Sequence, residues 1–318
     1  MTAQPTAVVV DHEVSERTGS SRTWRALRSN VSFWLGIGLV GVIVVAAVFA
    51  PILSPHDPDQ QFRREGLNAH GDPIGPAPGF PLGTDLLGRD ELSRLMYGAR
   101  TALTVGIIAN VLATIIGVIV GSAAAFGGSR VLRIGPRRGP AIRITFPIET
   151  ILMRITDAIL SFPVLLLAIA LVSIVGASLP LVVVVIAGVL WTGIARIVYG
   201  RMTVLRESDF VTAARAVGVP TRRIVTHHVL PHTGSIIVVY ATLGIASTVL
   251  FEATLAFLGV GVPLPAATWG QMISQHVGYY DSDPRLVILP GFAIMITILA
   301  FNLLGDALAD ALDPHHWR

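Results

Sequence analysis

The amino-acid sequence predicts an all-α, polytopic membrane protein with about six transmembrane helices and with both termini in the cytoplasm. Three observations predict this class: the composition, a series of long apolar runs, and the distribution of arginine. Of the 318 residues, 53% are hydrophobic and 14% are charged, and the mean hydropathy is +0.69. So few charged side chains cannot cover the surface of a water-soluble protein, so we expect the chain to lie in a lipid bilayer.

Six apolar runs provide the predicted transmembrane helices. A helix needs about 20 apolar residues to cross the hydrocarbon layer, and the first run has this length without a charge. It is too long for the core of a signal peptide and lacks a tidy cleavage site, so we expect it to be retained. The predicted spans cover residues 34–53, 101–126, 163–175, 180–198, 235–258 and 287–304.

Arginine supplies all of the basic charge, because the sequence contains no lysine. If the N-terminus is inside, 17 of the 23 basic residues fall in cytoplasmic segments, and the other six are Arg63, Arg64, Arg89, Arg94, Arg100 and Arg285. Positive residues are retained on the cytoplasmic side during insertion, so this bias supports cytoplasmic termini. The arginines do not gather with aromatic residues on one face, which argues against nucleic-acid binding.

These spans predict the organisation of the chain. Residues 1–33 form a cytoplasmic tail that ends in an amphipathic helix, and residues 34–318 form the transmembrane domain. Within this domain we expect an extracytoplasmic segment at 54–100, a basic cytoplasmic insertion at 127–150 and a second cytoplasmic segment at 199–233. The insertion, whose arginine-rich part is 129–148, is expected to be a solvated loop. Binding of anionic lipid headgroups is the alternative.

The cytoplasmic segment after the fourth span predicts two short helices joined by a glycine turn. Ser208 or Asp209 can cap the first helix, and Gly218 suits the left-handed conformation that ends it. Thr221 can cap the second helix, which we expect Pro231 to end.

The first of these helices has a face of mostly small apolar residues. Phe210, Ala213, Ala214 and Val217 fall at i, i+3, i+4 and i+7. Because a helix of about nine residues is marginal in water, it should need a surface to lie on. Small side chains let a partner approach closely, which favours a docking role over an ordinary solvated loop.

The residue inventory excludes several chemical functions. The absence of cysteine excludes disulfides and thiolate metal sites. The absence of lysine excludes a Walker A loop, so any ATP that drives this protein must be hydrolysed by another chain. A metal site on His227, His228 and His232 is disfavoured, because residues at i, i+1 and i+5 do not share a helical face. We therefore expect no catalytic residue, cofactor or metal in this chain.

Glu252 lies far from the ends of its predicted span. An ionisable side chain at that depth is costly and is therefore a functional candidate. We expect a structural hydrogen-bonding role first, and contact with a translocated solute or proton is the alternative. A secondary transporter driven by ions would favour internal repeats and several deep acids, which the sequence does not show.

Four ordered motifs resemble those of one protein family. The second cytoplasmic segment holds residues of a known coupling motif at the family's spacing: Ala213, Ala214, Gly218, Leu230 and Pro231. Thr212 stands where that motif usually has Glu, and His228 stands where many families have Ile. The other motifs cover residues 81–100, 252–261 and 302–314. Together they resemble the permease subunits of ATP-binding-cassette importers, in the branch that carries dipeptides, oligopeptides and nickel.

This resemblance implies a type I importer permease fold in the bacterial inner membrane, most similar to the C-type subunit of peptide systems. It implies a B-type permease partner, two ATP-binding domains that hold ATP and Mg²⁺, and an extracytoplasmic substrate-binding protein. Nickel, glutathione or another small solute is the alternative cargo. The residues implied in ATPase coupling are Glu207, Asp209, Phe210, Ala213, Ala214, Arg215, Val217, Gly218, Leu230 and Pro231.

Overall fold

A computed structural model of the chain describes residues 24–134 and 142–312, and for 129–134 and 142–146 it describes the backbone alone. Helices dominate the described chain, as the sequence predicts. Residues 24–29 are helical. The helices that follow are α1 Val31–Val48, α2 Ala50–Leu53, α3 Glu91–Phe126, α4 Ile148–Leu160, α5 Val164–Val175, α6 Leu179–Arg206, α7 Asp209–Ala216, α8 Thr221–Phe257, α9 Trp269–His276 and α10 Arg285–Leu312.

Five of these helices are long and apolar enough to cross a membrane, namely α1, α3, α6, α8 and α10. Helices α4 and α5 pass the same test as a pair, but their axes are inclined by 87° at the break that contains Pro163. Proline disfavours a helical conformation in the residue before it, which accounts for this break. With α4 and α5 counted as one bent span, the total of six agrees with the prediction.

Helix α3 lies at the centre of the bundle, where small residues allow its neighbours to approach closely. A Cβ atom on Gly121 would lie 2.6 Å from the carbonyl oxygen of Ala195 in α6. On another side, Nδ2 of Asn110 donates a hydrogen bond to the carbonyl of Ala241 in α8 at 2.6 Å. Close backbone packing and interhelical hydrogen bonds of this kind hold helices together in lipid.

We name the two ends of the bundle the Glu91 end and the Phe126 end, after the first and last residues of α3. At the Glu91 end, residues 54–90 fold against the helices. Asp90 caps α3 there, because its side chain accepts a hydrogen bond from the backbone nitrogen of Ser93 at 2.9 Å. The carboxylate of Asp90 thus satisfies one of the free N–H groups in the first turn of α3. Helix α7 lies at the other end, the Phe126 end.

Buried charges hold the segment at the Glu91 end. The Nε atoms of Arg89 and Arg94 lie 2.6 Å and 3.6 Å from the same carboxylate oxygen of Asp85, and all three side chains are almost fully buried. Arg285 of α10 reaches the same region, where it donates a hydrogen bond to the carbonyl of Thr84 at 3.3 Å. This network depends on contacts between residues far apart in the sequence, and local sequence patterns do not predict it.

A two-stranded antiparallel hairpin follows α3, in the region expected to be a loop. Strand β1 is Ser129–Ile134 and strand β2 is Ile142–Pro147. The backbone nitrogen of Ile148 donates to the carbonyl of Gly128 at 3.2 Å, which closes the base of the hairpin. The all-helical prediction does not include these strands.

Candidate functional site

Helix α7 forms where the sequence places a short helix, and it ends as predicted. Gly218 has a φ of +81°, which glycine adopts without steric cost, and its N–H donates to the carbonyl of Arg215 at 3.0 Å. The start of the helix differs from the prediction. Ser208 occupies the N-cap position, but no side chain caps the helix. Instead, Oγ of Ser208 donates to the carbonyl of Leu205 at 2.5 Å.

One side of α7 is held against the bundle by Val211, a residue that no sequence pattern distinguishes from the other apolar residues of the helix. Val211 is fully buried in a cluster with Ala125 of α3, Met202 of α6, and Ile224 and Val229 of α8. Full burial of such a side chain stabilises a structure by about 1.5–3 kcal/mol. Because Val211 packs against α3, α6 and α8, a displacement of α7 also acts on these three helices.

Two aromatic contacts fix α7 on either side of this cluster. The ring of Phe210 stacks on that of His232 in α8, with centroids 5.2 Å apart and planes inclined by 22°. The guanidinium carbon of Arg215 lies 5.9 Å from the ring centroid of Phe126, at the end of α3. Contacts of both kinds contribute about 0.5–1.5 kcal/mol each, so they orient the helix without determining the fold.

The opposite side of α7 is open. Val217 is 80% exposed and Phe210 is 38% exposed, and Ala213 is exposed as well. An exposed apolar strip with polar residues around it is typical of a surface that contacts another protein. Of the other residues predicted for coupling, Ala214 and Leu230 are half-buried, and those that are exposed are Glu207, Asp209, Arg215, Gly218 and Pro231.

The predicted end of the second helix at Pro231 is wrong. Helix α8 begins after Pro220, which takes the N-cap position expected for Thr221, and it continues without interruption to Phe257. Residues Ile224–Val229 are π-helical. Pro231 lies in the first turn of the α-helical part that follows these π-helical residues, and proline is tolerated in a first turn because its missing N–H would have no partner there. The segment that holds α7 is therefore continuous with a membrane-spanning helix.

A polar cluster fixes the start of α4 at the same end. The hydroxyl of Tyr199 in α6 donates to a carboxylate oxygen of Glu149 at 2.5 Å. Nη1 of Arg206 lies 3.7 Å from the other oxygen of Glu149 and donates to the carbonyl of Ala125 at 2.8 Å. These bonds join α4, α6 and α3 beside the base of the hairpin.

Glu252 lies inside α8 and is fully buried. Neither of its carboxylate oxygens has a hydrogen-bond partner among the described residues. Ala253, the residue after Glu252, packs tightly against α9. A Cβ atom on Gly270 of α9 would lie 2.0 Å from the carbonyl oxygen of Ala253. The hydrogen bond that the sequence analysis expects for Glu252 is thus not supplied by the described part of the chain.

Comparison with known proteins identifies the family to which this bundle belongs. Residues 139–318 match the profile of the binding-protein-dependent transport system inner membrane component. The chain belongs to this family. Residues 20–69 also match the N-terminal TM domain of oligopeptide transport permease C. The predicted resemblance to C-type permeases of peptide systems is therefore confirmed, and so is the inner-membrane location.

Individual members of this inner-membrane family match the chain over almost its full length. The dipeptide transport system permease protein DppC of Alkalihalophilus pseudofirmus is 34% identical and aligns over 99% of this chain and 96% of its own. The di/tripeptide transport system permease protein DppC of Pseudomonas aeruginosa is 38% identical and aligns over 92% of this chain and 90% of its own. The glutathione transport system permease protein GsiD of Pectobacterium atrosepticum is 36% identical and aligns over 96% of this chain and 94% of its own.

The fold of this family member also matches a solved structure. The MetNI methionine ABC transporter, in an inward-facing conformation, superposes with a TM-score of 0.54 at 21% sequence identity. The match covers 69% of this chain and 96% of the other. The permease fold expected from the sequence is therefore confirmed.

Proposed function

We propose that this permease subunit belongs to an ATP-driven importer of dipeptides or oligopeptides, and that α7 is the site at which an ATPase subunit docks. Relatives named as dipeptide and di/tripeptide permeases support the cargo. The observation that carries the docking site is the placement of α7, which is buried at Val211 and exposed at Ala213 and Val217.

The arginine distribution supports a cytoplasmic position for the Phe126 end. Arg206, Arg215, Arg222 and Arg223 lie in or beside α7 and the start of α8, and basic residues favour the cytoplasmic side of a membrane. An ATPase subunit in the cytoplasm can then reach α7. The Glu91 end faces outward, where a substrate-binding protein delivers the cargo.

Transmission starts when ATP binding draws two ATPase domains together. Helix α7 moves with the domain on which it docks, because its exposed strip lies in that contact. The movement reaches α3, α6 and α8 through the cluster around Val211. Because α8 continues through Pro231 into the membrane, a tilt at its start also shifts its membrane-spanning part. The pathway then opens alternately to the two sides.

The proposed importer requires other chains. A B-type permease subunit supplies the second half of the pathway, and two ATP-binding domains, on one chain or two, bind ATP and Mg²⁺. The role left to this chain is to line the pathway and to couple it to the ATPase, since the sequence lacks the lysine of a Walker A loop.

Affinity purification of the tagged chain from native membranes tests this function. We expect an ATPase and a second permease to purify with it, and we expect dipeptides and longer peptides to compete for uptake by the complex. Recovery of a stable chain without an ATPase, together with transport driven by an ion gradient, would contradict the proposal.

Glutathione is a second candidate cargo, because a glutathione permease aligns over 96% of the chain. Competition between labelled substrates distinguishes the two cargoes. Strong competition by glutathione and weak competition by dipeptides would assign glutathione, and the reverse order would assign peptides. Nickel uptake measured in the same membranes tests the remaining alternative from the sequence.

A further inference from the structure

The register of the hairpin sorts its residues onto two different faces. Directly opposite residues of an antiparallel pair share a face, and successive residues alternate between faces. Arg133 is opposite Arg143, and Val131 is opposite Thr145. The other face is mostly apolar and carries Arg130, Leu132, Ile134, Ile142, Ile144 and Phe146.

This apolar face requires a surface to cover it. A two-stranded hairpin is only marginally stable by itself in water. The strands β1 and β2 lie mainly against each other and, beyond that, beside the start of α4. The pairing of the strands therefore leaves five apolar positions on one face that a further surface would stabilise.

The charge of the hairpin indicates that this surface is anionic. Residues 127–148 contain five arginines and no acidic residue. Like charges at directly opposite positions of two strands are unfavourable, and Arg133 and Arg143 occupy such positions. A negatively charged partner removes this repulsion.

The position of the hairpin favours a lipid headgroup layer over other anionic surfaces. The hairpin starts three residues after Phe126, the last residue of a membrane-spanning helix. It leads into α4, which is inclined by 87° to α5 and therefore runs across the direction of that apolar helix. An amphipathic element with arginines on its polar face, placed where a span ends, is typical of segments that lie in the membrane interface.

We propose that the strands 129–134 and 142–147 form a binding site for anionic phospholipids of the adjacent leaflet. The apolar face lies at the boundary between headgroups and acyl chains, and Arg133 and Arg143 lie at the level of the lipid phosphates. This site depends on the membrane position of the Phe126 end, and it is independent of the docking of α7 and of the cargo.

The absence of native cysteine permits a direct test with the full-length chain. Ile144→Cys places a single label on the apolar face, and Thr145→Cys places the same label on the other face. Each variant carries a polarity-sensitive fluorophore and is reconstituted in nanodiscs of phosphatidylcholine alone or with added phosphatidylglycerol. We expect brominated acyl chains to quench the label at position 144 much more than that at 145, and only where phosphatidylglycerol is present.

Removal of the paired charges tests anion recognition separately from apolar burial. Each arginine near an anionic membrane surface contributes about 1 kcal/mol, so Arg133→Gln with Arg143→Gln should lower the ratio of bound to free hairpin about thirtyfold. High salt should have a similar effect, because it screens these charges. Arg63→Gln with Arg64→Gln removes equal charge from exposed residues near the Glu91 end, and it should leave the quenching unchanged.

Three outcomes would overturn the proposal. A label at position 144 that stays in water in both lipid mixtures would show that the hairpin does not bind the membrane. Equal quenching in phosphatidylcholine, insensitive to the arginine replacements, would show apolar burial without anion recognition. Protection of the label only after an ATPase subunit is added would assign the face to a protein partner.

Discussion

Phe210 at the start of α7 stacks on His232 in α8, with ring centroids 5.2 Å apart. The contact joins a helix that is exposed at the surface of the bundle to a helix that is long enough to cross the membrane. It lies on the route by which the proposed movement of α7 reaches the spans. The contact is too weak to decide whether the protein folds, but it sets the orientation of α7.

Phe210→Ala should lower the amount of peptide taken up per ATP hydrolysed, because α7 then shifts without moving α8 to the same extent. His232→Ala should have the same effect. The double variant should lower the uptake per ATP no further than either single variant, since each single replacement already removes the same contact. Phe292→Ala, at an exposed position of α10, serves as the control. Additive losses in the double variant would mean that the two residues act separately.

Gly218→Val should uncouple ATP hydrolysis from uptake. A β-branched residue is strained at a φ of +81°. We therefore expect the turn after α7 to change and to displace the exposed strip that contains Val217. Gly218→Asn is the matched control, because asparagine tolerates the left-handed conformation. Normal uptake by the valine variant would count against the role of this turn.

Asp85→Asn should lower the free energy of unfolding by about 3–5 kcal/mol, because it removes the buried anion that lies between Arg89 and Arg94. Thermal unfolding of the purified chain in detergent measures this effect. Asp281→Asn, at an exposed position, should change stability little. Equal losses in the two variants would show that the buried network does not stabilise the fold.

Glu252→Gln should assemble normally and retain uptake if Glu252 has a structural role. The amide has nearly the same shape as the carboxyl, and it avoids the cost of burying a charge without a partner. Uptake and complex formation are measured in the same membranes. Loss of uptake in a fully assembled complex would instead place Glu252 in the translocation pathway.

The spans and the cap of α3 could be predicted because they depend on local sequence. A long apolar run is sufficient to indicate a membrane helix, and the cap requires only Asp90 beside the first turn. The turn after α7 could be predicted for the same reason, because it depends only on a glycine at position 218. These elements need no knowledge of distant contacts.

Features that depend on distant residues could not be predicted in this way. Val211 is one of several apolar residues in α7, and only its contacts with α3, α6 and α8 distinguish it. The role of Asp85 depends on how the segment before α3 folds back on the bundle. At Pro231 the local rule gave the wrong result, because the proline lies in the first turn after a π-helical stretch, where proline is tolerated, and α8 continues.

Site-specific cross-linking at α7 tests the central claim most directly. Ala213→Cys in this cysteine-free chain carries a photoreactive label on the exposed strip, and Arg63→Cys carries the same label near the Glu91 end. In the purified complex we expect the label at position 213 to cross-link to the ATPase subunit and the label at 63 not to do so. An intact complex in which position 213 yields no adduct with the ATPase would contradict the docking of α7.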